Sequence, residues 1–479
     1  MGAQERTSRE DNDKAEIVIR LFHAYFPTRT VVLGCTEAAL VIVAFALATL
    51  VRLGPEGYLV LQYEYGLAKI GIVCVVSLLC IHYYDLYDSV VLTSRREVFT
   101  RLVQAFGTLT LLLAALYYAV PQLRLGQGIF IWGVAFLLVF LFGWRLAFLR
   151  LNSIDSLAAR SLLLGSGSLA VSLAEEIGRR PELGLLLVGW VDDGSSDTAI
   201  NGLPRLSGLN DVHQCAERWR VNRIIVALGE RRGRLPLEQL LALKTHGRLV
   251  QDGTEVYENI TGRVHLASLR PSWLLFSPGF RLSLLQQFWK RVASLFGSLI
   301  GLILFLPLML VIALAIKLDT RGPVIFRQGR VGRDRKDFTL YKFRTMHVGA
   351  DSDGVPKPAV ENDVRFTRLG HWLRRTRWDE LPQLYNIFRG DMDFVGPRPF
   401  LPTLEAEYAR RIPFYSQRWS EKPGATGWAQ VHRGYCTTVE DNAEKLSYDL
   451  FYIKNMSVGL DLLILFQTVK ILLLGRGAR

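Results

Sequence analysis

Four long apolar runs occupy the first third of this 479-residue chain, roughly Thr30–Leu50, Ala68–Tyr84, Leu102–Val120 and Gly128–Phe148. A hydrocarbon layer offers no water to backbone N–H and C=O groups, so such runs must close their hydrogen bonds internally, as helices. About 20 helical residues cross a bilayer core, and each run is near that length. The two shorter runs would tilt little. None carries the polar stripe expected of a helix in a soluble bundle. No intramembrane acidic pair of the kind transporters use is evident. The runs predict a membrane protein with a four-helix transmembrane anchor within residues 1–150. Residues 1–29 are polar and lack an apolar core at the very start, which argues against a cleaved signal peptide.

Lysine and arginine in the short loops orient the anchor. Arg20 and Arg29 precede the first run. Arg95, Arg96 and Arg101 follow the second, and Arg145, Arg150 and Arg160 follow the fourth. The two opposite loops hold only Arg52 and Arg124. This asymmetry places the N-terminus and everything after residue 150 in the cytoplasm.

The chain is 50% hydrophobic with a net charge of +13. A basic, apolar protein suits an anionic membrane surface or phosphorylated ligands. Nucleic acid is not expected as a partner, since neither zinc-finger spacing nor a basic zipper is present. The five cysteines, Cys35, Cys74, Cys80, Cys215 and Cys436, form no C-x-x-C pair and read as small core residues.

Residues 151–275 alternate strand and helix patterns. Ser161-Leu-Leu-Leu-Gly-Ser-Gly-Ser-Leu-Ala170 is a strand, a glycine turn and a helix start. Gly184–Asp193 and Asn222–Leu228 read as further strands, with helices near Asn210–Trp219 and Pro236–His246. This predicts a Rossmann-like α/β domain with a parallel sheet. Its glycine turn is a degenerate dinucleotide fingerprint, with Gly165, Gly167 and Ala170 in the three positions. Asp192 or Asp193 would meet a ribose, at a spacing longer than usual. A regulatory or assembly domain that kept the fold and lost the ligand is the expectation.

Val292–Ile316 contains no charged residue. Pro307 lies within it and breaks or kinks a helix. Lys290 and Arg291 precede it, and Lys317, Arg321, Arg327, Arg330 and Arg333 follow. Cations on both flanks want the same side of the membrane. The expectation is a re-entrant helix–break–helix over about 290–318, opening a catalytic domain at 276–479.

The reactive chemistry concentrates in Arg374-Arg-Thr-Arg-Trp-Asp-Glu-Leu-Pro-Gln-Leu384 and Gly396-Pro-Arg-Pro399. Nearby arginines should lower a carboxylate's pKa and keep it ionised. An ionised carboxylate can act as a nucleophile or hold a metal, and the arginines can grip phosphate. Locally, Asp379 also fits a helix N-cap, with Glu380 in the first turn and Pro382 tolerated there. Asn362–Arg375 interleaves arginines with Phe366, Leu369, Trp372 and Leu373. It reads as an interfacial amphipathic helix burying those four in lipid, or equally as the basic face of a soluble helix. Lys422–Gly427 is either a basic glycine-rich turn that approaches phosphate or a hinge. Arg410, Arg411 and Arg418 add positive charge for headgroups or nucleotide.

Taken together, Phe326-Arg-Gln, Tyr341-Lys-Phe-Arg-Thr-Met346, Asp379-Glu-Leu-Pro-Gln-Leu384, Gly390-Asp-Met392, Val395-Gly-Pro-Arg-Pro399, Lys422-Pro-Gly-Ala-Thr-Gly-Trp-Ala-Gln430, Tyr448-Asp-Leu-Phe-Tyr-Ile453 and Leu460-Asp-Leu462 resemble one family. This is the bacterial sugar transferases, the monotopic polyprenyl-phosphate phosphoglycosyl transferases, over about residues 285–479. The anchor and the Rossmann-like middle resemble its long, exopolysaccharide-initiating members. The resemblance implies transfer of a sugar 1-phosphate from a UDP-sugar to undecaprenyl phosphate in the bacterial inner membrane. It implies Asp379 as nucleophile and Glu380 as the carboxylate associated with Mg²⁺. It makes Arg374 and Arg398 phosphate ligands, with Lys342, Gln383 and Asp449 at further polar positions. Asp449 is a second metal or base residue, or a plain helix-surface acid. Arg377 and Trp378 depart from the Ser and Leu that several members carry there. The extra middle domain makes a homo-oligomer plausible. Two other readings are a catalytically dead membrane scaffold whose middle domain binds nucleotide, and an NAD-dependent sugar-nucleotide modifier. The four site residues together speak against the first, and the lack of a Tyr-x-x-x-Lys pair after the glycine turn speaks against the second.

Overall fold

The structure is a computed structural model that describes residues 18–21, 24–63, 65–87, 95–126, 128–152, 158–193, 200, 202–229, 234–271, 280, 283–350, 363–434 and 438–473. The first 17 residues of the polar tail, Asn362 and Cys436 lie outside them. The chain divides into two compact units, one running to Val256 and the other from Tyr257 onward, with Arg20–Ala24 grouped in the second.

Within the first unit the apolar runs become helices α1 (Thr28–Leu53), α2 (Gly66–Tyr83), α3 (Arg95–Ala119) and α4 (Ile129–Asn152). Each is long and apolar enough to cross a membrane. They pack through Val41, Phe45, Ile70, Leu102, Leu109 and Leu137, while Val43, Leu111, Ile131 and Val139 point outward. A side chain at Gly133 would strike the Phe45 ring, so glycine lets α4 approach α1. Apolar residues on both the inner and outer faces explain the absent polar stripe.

One feature of the anchor overturns the sequence reading. Arg145 belongs to α4, not to the loop after it, and is wholly buried with Glu37 of α1. Its Nε lies 2.7 Å from Glu37 Oε1, and Tyr87 donates its hydroxyl to Glu37 Oε2 at 2.8 Å. Arg145 also donates to the Leu86 carbonyl at 2.6 Å. The anchor therefore holds a charged residue of each sign, each neutralised by its partner. Burial of an ion in lipid is tolerable on those terms.

The middle of the chain builds a five-stranded parallel sheet from β1 (Ala159–Leu164), β2 (Leu185–Val191), β3 (Arg205–Ser207), β4 (Arg223–Val226) and β5 (Leu249–Asp252), in the order β3-β2-β1-β4-β5. Helices α5 (Ser168–Arg179), α6 (Val212–Arg218), α7 (Leu237–Thr245) and α8 (Gly253–Thr261) connect or follow the strands. Leu162, Leu163 and Leu164 are fully buried, as a central strand covered on both faces requires. The two edge strands β3 and β5 were not anticipated. Gly165 has φ 113°, and Gly167 precedes α5, so the glycine turn forms as expected. Its ribose candidates are occupied by protein groups. Asp192 accepts from Ser166 Oγ at 2.5 Å and from Arg234 at 2.6 Å, and Asp193 accepts from Leu209 N at 2.6 Å.

The second unit includes the end of α8 and the segment after it. Gly262 accepts from Trp428 Nε1 at 2.7 Å, Arg263 pairs with Glu444 at 2.6 Å, and Lys454 pairs with Glu258 at 2.7 Å. Residues 257–268 thus group with the last third, whereas the strand–helix alternation put the boundary at 275.

The uncharged stretch is one helix, α9 (Leu284–Asp319), opened by a Ser283–Gln286 capping box. The expected helix–break–helix is not seen, because Pro307 sits inside a continuous element. Its 36 residues extend about 54 Å. Near its start, Arg291 donates to the Ile387 and Phe388 carbonyls, and Ser294 donates to Asp393. Further along, Gly297 faces Phe394 and Gly301 faces Leu384. Near its end, Ile312 and Ile316 pack with Phe343 and Leu373. Both ends of α9 thus rest on the same domain, while Ile303, Leu304, Leu310 and Val311 remain exposed between them.

That domain contains the antiparallel hairpin β6 (Ile325–Val331) and β7 (Asp337–Phe343), then α10 (Arg368–Thr376), α11 (Gln383–Arg389) and β8 (Asp393–Val395). It continues with α12 (Pro402–Arg411), β9 (Gly424–Thr426), α13 (Trp428–His432), α14 (Val439–Asn455) and α15 (Val458–Leu473). Strands β8 and β9 pair in parallel. The helix read over Asn362–Arg375 starts only at Arg368, capped by Thr367. Phe366 and Leu373 are buried in protein, not lipid, and Trp372 is exposed. The partners of Leu373 lie on α9 and β7, which a local reading does not reveal.

Candidate active site

The reactive turn follows from how α10 ends. Arg377 adopts a left-handed conformation, φ 61°, and closes the helix with its N–H on the Arg374 carbonyl. A non-glycine residue there is uncommon and reverses the chain sharply. A single 3-10 turn, Trp378–Glu380, then leads into α11. Trp378 packs into the cluster built on Ile312, Ile316 and Leu373, which seats the turn against α9. Asn386 of α11 donates to the Thr339 carbonyl at 2.7 Å and accepts from Tyr341 N at 3.1 Å, which fixes β7 beside the turn.

Lys342 on β7 donates to Glu380 Oε1 at 2.8 Å. Arg398 reaches the same oxygen at 3.7 Å from the Gly396–Pro399 loop. A side chain at Gly396 would collide with the backbone of Lys422 and Gly424, so this loop and the Lys422–Gly427 turn lie back to back. Arg374 stacks its guanidinium over the Phe366 ring at 4.4 Å. Gln383 is buried at the start of α11. The structure therefore brings Lys342 and Arg398 directly onto Glu380, with Asp379 next to it in the chain and Arg374 within electrostatic reach.

The two carboxylates differ in charge behaviour. Asp379 is 8% exposed. Burial and the neighbouring Glu380 push its pKa up to about 6, against the pull of Lys342, Arg374 and Arg377. This reverses the expected lowering, because desolvation outweighs the cations. Burial also acts upward on Glu380, but Lys342, Arg398 and Arg377 overcome it and hold that carboxyl at about 2. Arg377, one of the three arginines flanking the acid pair in the sequence, thus acts on both acids. The cluster of three arginines around residue 375 was the available signal.

Asp449 has a different environment from the one expected. It is 1% exposed on α14, and its Oδ2 accepts from Arg418 at 2.5 Å. Arg418 is equally buried and lies over the rings of Phe400, Tyr415 and Trp419 at 4.6 to 5.0 Å. Asp449 is therefore committed to a cation and is not an open metal ligand or base. Arg418 is not a surface charge for headgroups. Arg344, read from the sequence as a second cation beside Lys342, has a structural role. It donates to the Thr320 carbonyl at 2.9 Å and the Arg321 carbonyl at 3.0 Å, at the C-terminal end of α9.

To a divalent cation this donor set offers one ionised carboxylate, Glu380. Among the described residues no three His, Cys, Asp or Glu side chains converge to hold a metal. Lys342 and Arg398 both address Glu380 Oε1, and neither contact involves Oε2. One ionised carboxylate completed by phosphate oxygens suits Mg²⁺, which commonly takes one or two protein carboxylates.

Residues 285–475 match the family described as bacterial sugar transferase, and residues 82–234 match a family described as CoA-binding domain. The chain is 42% identical over 228 residues to the UDP-N-acetylgalactosamine-undecaprenyl-phosphate N-acetylgalactosaminephosphotransferase of Aeromonas hydrophila, covering 47% of this chain and 52% of that protein. It is 35% identical over 317 residues to the UDP-glucose:undecaprenyl-phosphate glucose-1-phosphate transferase of Klebsiella pneumoniae, covering 65% and 67%. It is 42% identical over 186 residues to an exopolysaccharide production protein of Rhizobium leguminosarum bv. phaseoli, covering 38% and 92%. The chain spans about half the length of the first of these relatives.

Proposed function

The chain belongs to the bacterial sugar transferase family, and on that premise we propose that it transfers a sugar 1-phosphate from a UDP-sugar to undecaprenyl phosphate, the opening step of an exopolysaccharide repeat unit. The observation that carries this reading is the contrast within one turn. Glu380 is already neutralised by Lys342 and Arg398, while no side chain among the described residues closes an ion pair on the buried Asp379.

In the first half-reaction an Asp379 oxygen attacks the β-phosphorus of the donor. The bond to the bridging oxygen breaks, UMP departs with the electron pair, and the sugar phosphate stays on Asp379 as an acyl phosphate. In the second, a phosphate oxygen of the lipid attacks the same phosphorus. The bond to Asp379 breaks and the carboxylate is restored. Lys342, Arg374 and Arg398 bind and orient the diphosphate and offset its charge, so that an anionic nucleophile can approach. Glu380 would hold Mg²⁺ together with donor phosphate oxygens, which supplies further charge neutralisation when the ion is bound.

The enzyme works at the cytoplasmic face of the bacterial inner membrane. The loop arginines support that orientation. The seating of both ends of α9 on one domain supports a helix that enters the membrane without crossing it. A water-soluble donor and a lipid-borne acceptor can then meet at headgroup level.

The test is UMP release by full-length enzyme in lipid nanodiscs, over a panel of UDP-sugars, with and without undecaprenyl phosphate. Release that depends on one donor and continues only with the lipid acceptor is expected. Absence of release with every donor would overturn the reading.

A further inference from the structure

We infer that Asp449 and Tyr452, one turn apart on α14, are positioning residues that clamp the Arg398 loop from its two ends. The inference rests on the reading of Arg398 as a ligand of the donor diphosphate. Residues three apart on a helix share a face, and both side chains are buried. On the near side of the loop, the Tyr452 hydroxyl lies 3.1 Å from the Val395 carbonyl, one residue before Gly396, and shares its single proton with Asp461 Oδ1 at 2.7 Å while accepting from Lys290 at 2.7 Å. On the far side, Asp449 holds Arg418 at 2.5 Å, and the Arg418 guanidinium lies 4.6 Å from the centre of the Phe400 ring, two residues after Arg398. Tyr415 steadies the same guanidinium by accepting from it at 2.6 Å.

The loop backbone is held as well. Gly396 N donates to the Thr426 carbonyl at 2.9 Å, and Val331 N donates to the Phe400 carbonyl at 3.0 Å. Pro397 and Pro399 remove backbone freedom on either side of Arg398. Between the buried Pro397 and Pro399 the Arg398 side chain is left partly open to solvent, about a third exposed and directed to Glu380. A fully buried ion pair contributes little net stability, whereas it does fix geometry where partners are tightly paired. The Arg418–Asp449 pair is placed where fixing geometry matters, beneath a phosphate-gripping arginine. Such pre-ordering strengthens binding by lowering what must be ordered on contact.

The experiment is calorimetric binding of UDP, with Mg²⁺ present, to the purified full-length protein and to Arg398→Ala, Asp449→Asn, Tyr452→Phe and the doubles Arg398→Ala with Asp449→Asn and Arg398→Ala with Tyr452→Phe. Each single variant should weaken binding, by roughly tenfold for Arg398→Ala and Asp449→Asn, and severalfold for Tyr452→Phe. Each double should bind within about twofold of Arg398→Ala alone, because the clamp acts through that arginine. Losses that multiply in both doubles, or clamp variants that bind like wild type, would overturn the inference. Tyr452→Phe keeps the ring in place and carries the test if Asp449→Asn fails to fold. Wild-type protein that does not bind UDP would remove both the inference and the phosphate reading. UDP binding with the predicted non-additivity, in an enzyme that releases no UMP from any donor, would uphold the clamp and overturn the proposed reaction.

Discussion

Lys342 stands 2.8 Å from Glu380 and thereby separates the roles of two adjacent acids. Glu380 is held ionised by cations, whereas burial and Glu380 itself raise the Asp379 pKa to about 6. An ionised but poorly solvated Asp379 is a stronger nucleophile than one wrapped by arginines.

Replacing Asp379 by Asn keeps the volume and removes the attacking oxygen anion. UMP release should fall by on the order of a thousandfold or more. Intact-mass measurement with donor alone should show a sugar phosphate added to the wild-type chain and none added to Asp379→Asn. Product accumulating on lipid while the wild-type chain never gains that mass would show that the two-step route is wrong.

The pH profile follows from the Asp379 value of about 6. The reactive form is the anion, so kcat/KM for the donor should rise about tenfold per pH unit below that value and level off above it. Glu380 raises the Asp379 pKa, so the residual activity of Glu380→Gln should keep the same shape with its acid limb shifted to lower pH. A limb that stays in place in that variant would show that Glu380 does not set the charge of its neighbour.

The Glu37–Arg145 pair makes a prediction about the anchor. Glu37→Gln leaves Arg145 buried without its counter-ion, which should cost about 3–5 kcal/mol of anchor stability. Joint replacement of Glu37 and Arg145 by Leu should recover most of that loss. Midpoints of unfolding in mixed micelles with increasing SDS would measure both. Equal midpoints for Glu37→Gln and wild type would show that the pair does not hold α1 to α4.

Single-cysteine variants before Leu284 and after Asp319 should be labelled from the same side of sealed membrane vesicles. Both flanks are expected to react with an impermeant maleimide only in inside-out vesicles. Reaction of the downstream site in right-side-out vesicles would establish that α9 crosses.

What the sequence disclosed, and what it concealed, follows from how local each cause is. The apolar runs and the Leu162–Leu164 strand were legible because composition alone determines burial over a contiguous stretch. The edge strands Arg205–Ser207 and Leu249–Asp252 were not, because three or four residues carry no periodic signal. The adjacent acids and their arginines were legible as a charge pattern. The direction of the Asp379 shift was not, since burial depends on the turn being seated by Trp378. Glu37 with Arg145, and Arg418 with Asp449, are partners from distant segments, and neither member announces the other. Pro307 marked a break that a long, well-supported helix did not make.

Arg344 and Lys342 sit two residues apart on one strand, the first gripping the end of α9 and the second gripping Glu380. One short strand therefore joins the residue that holds the end of α9 to the residue that holds Glu380, the acid next to Asp379. A shift of α9 against this strand should reach Glu380, so turnover in thin, loosely packed bilayers is expected to differ from turnover in thick, tightly packed ones.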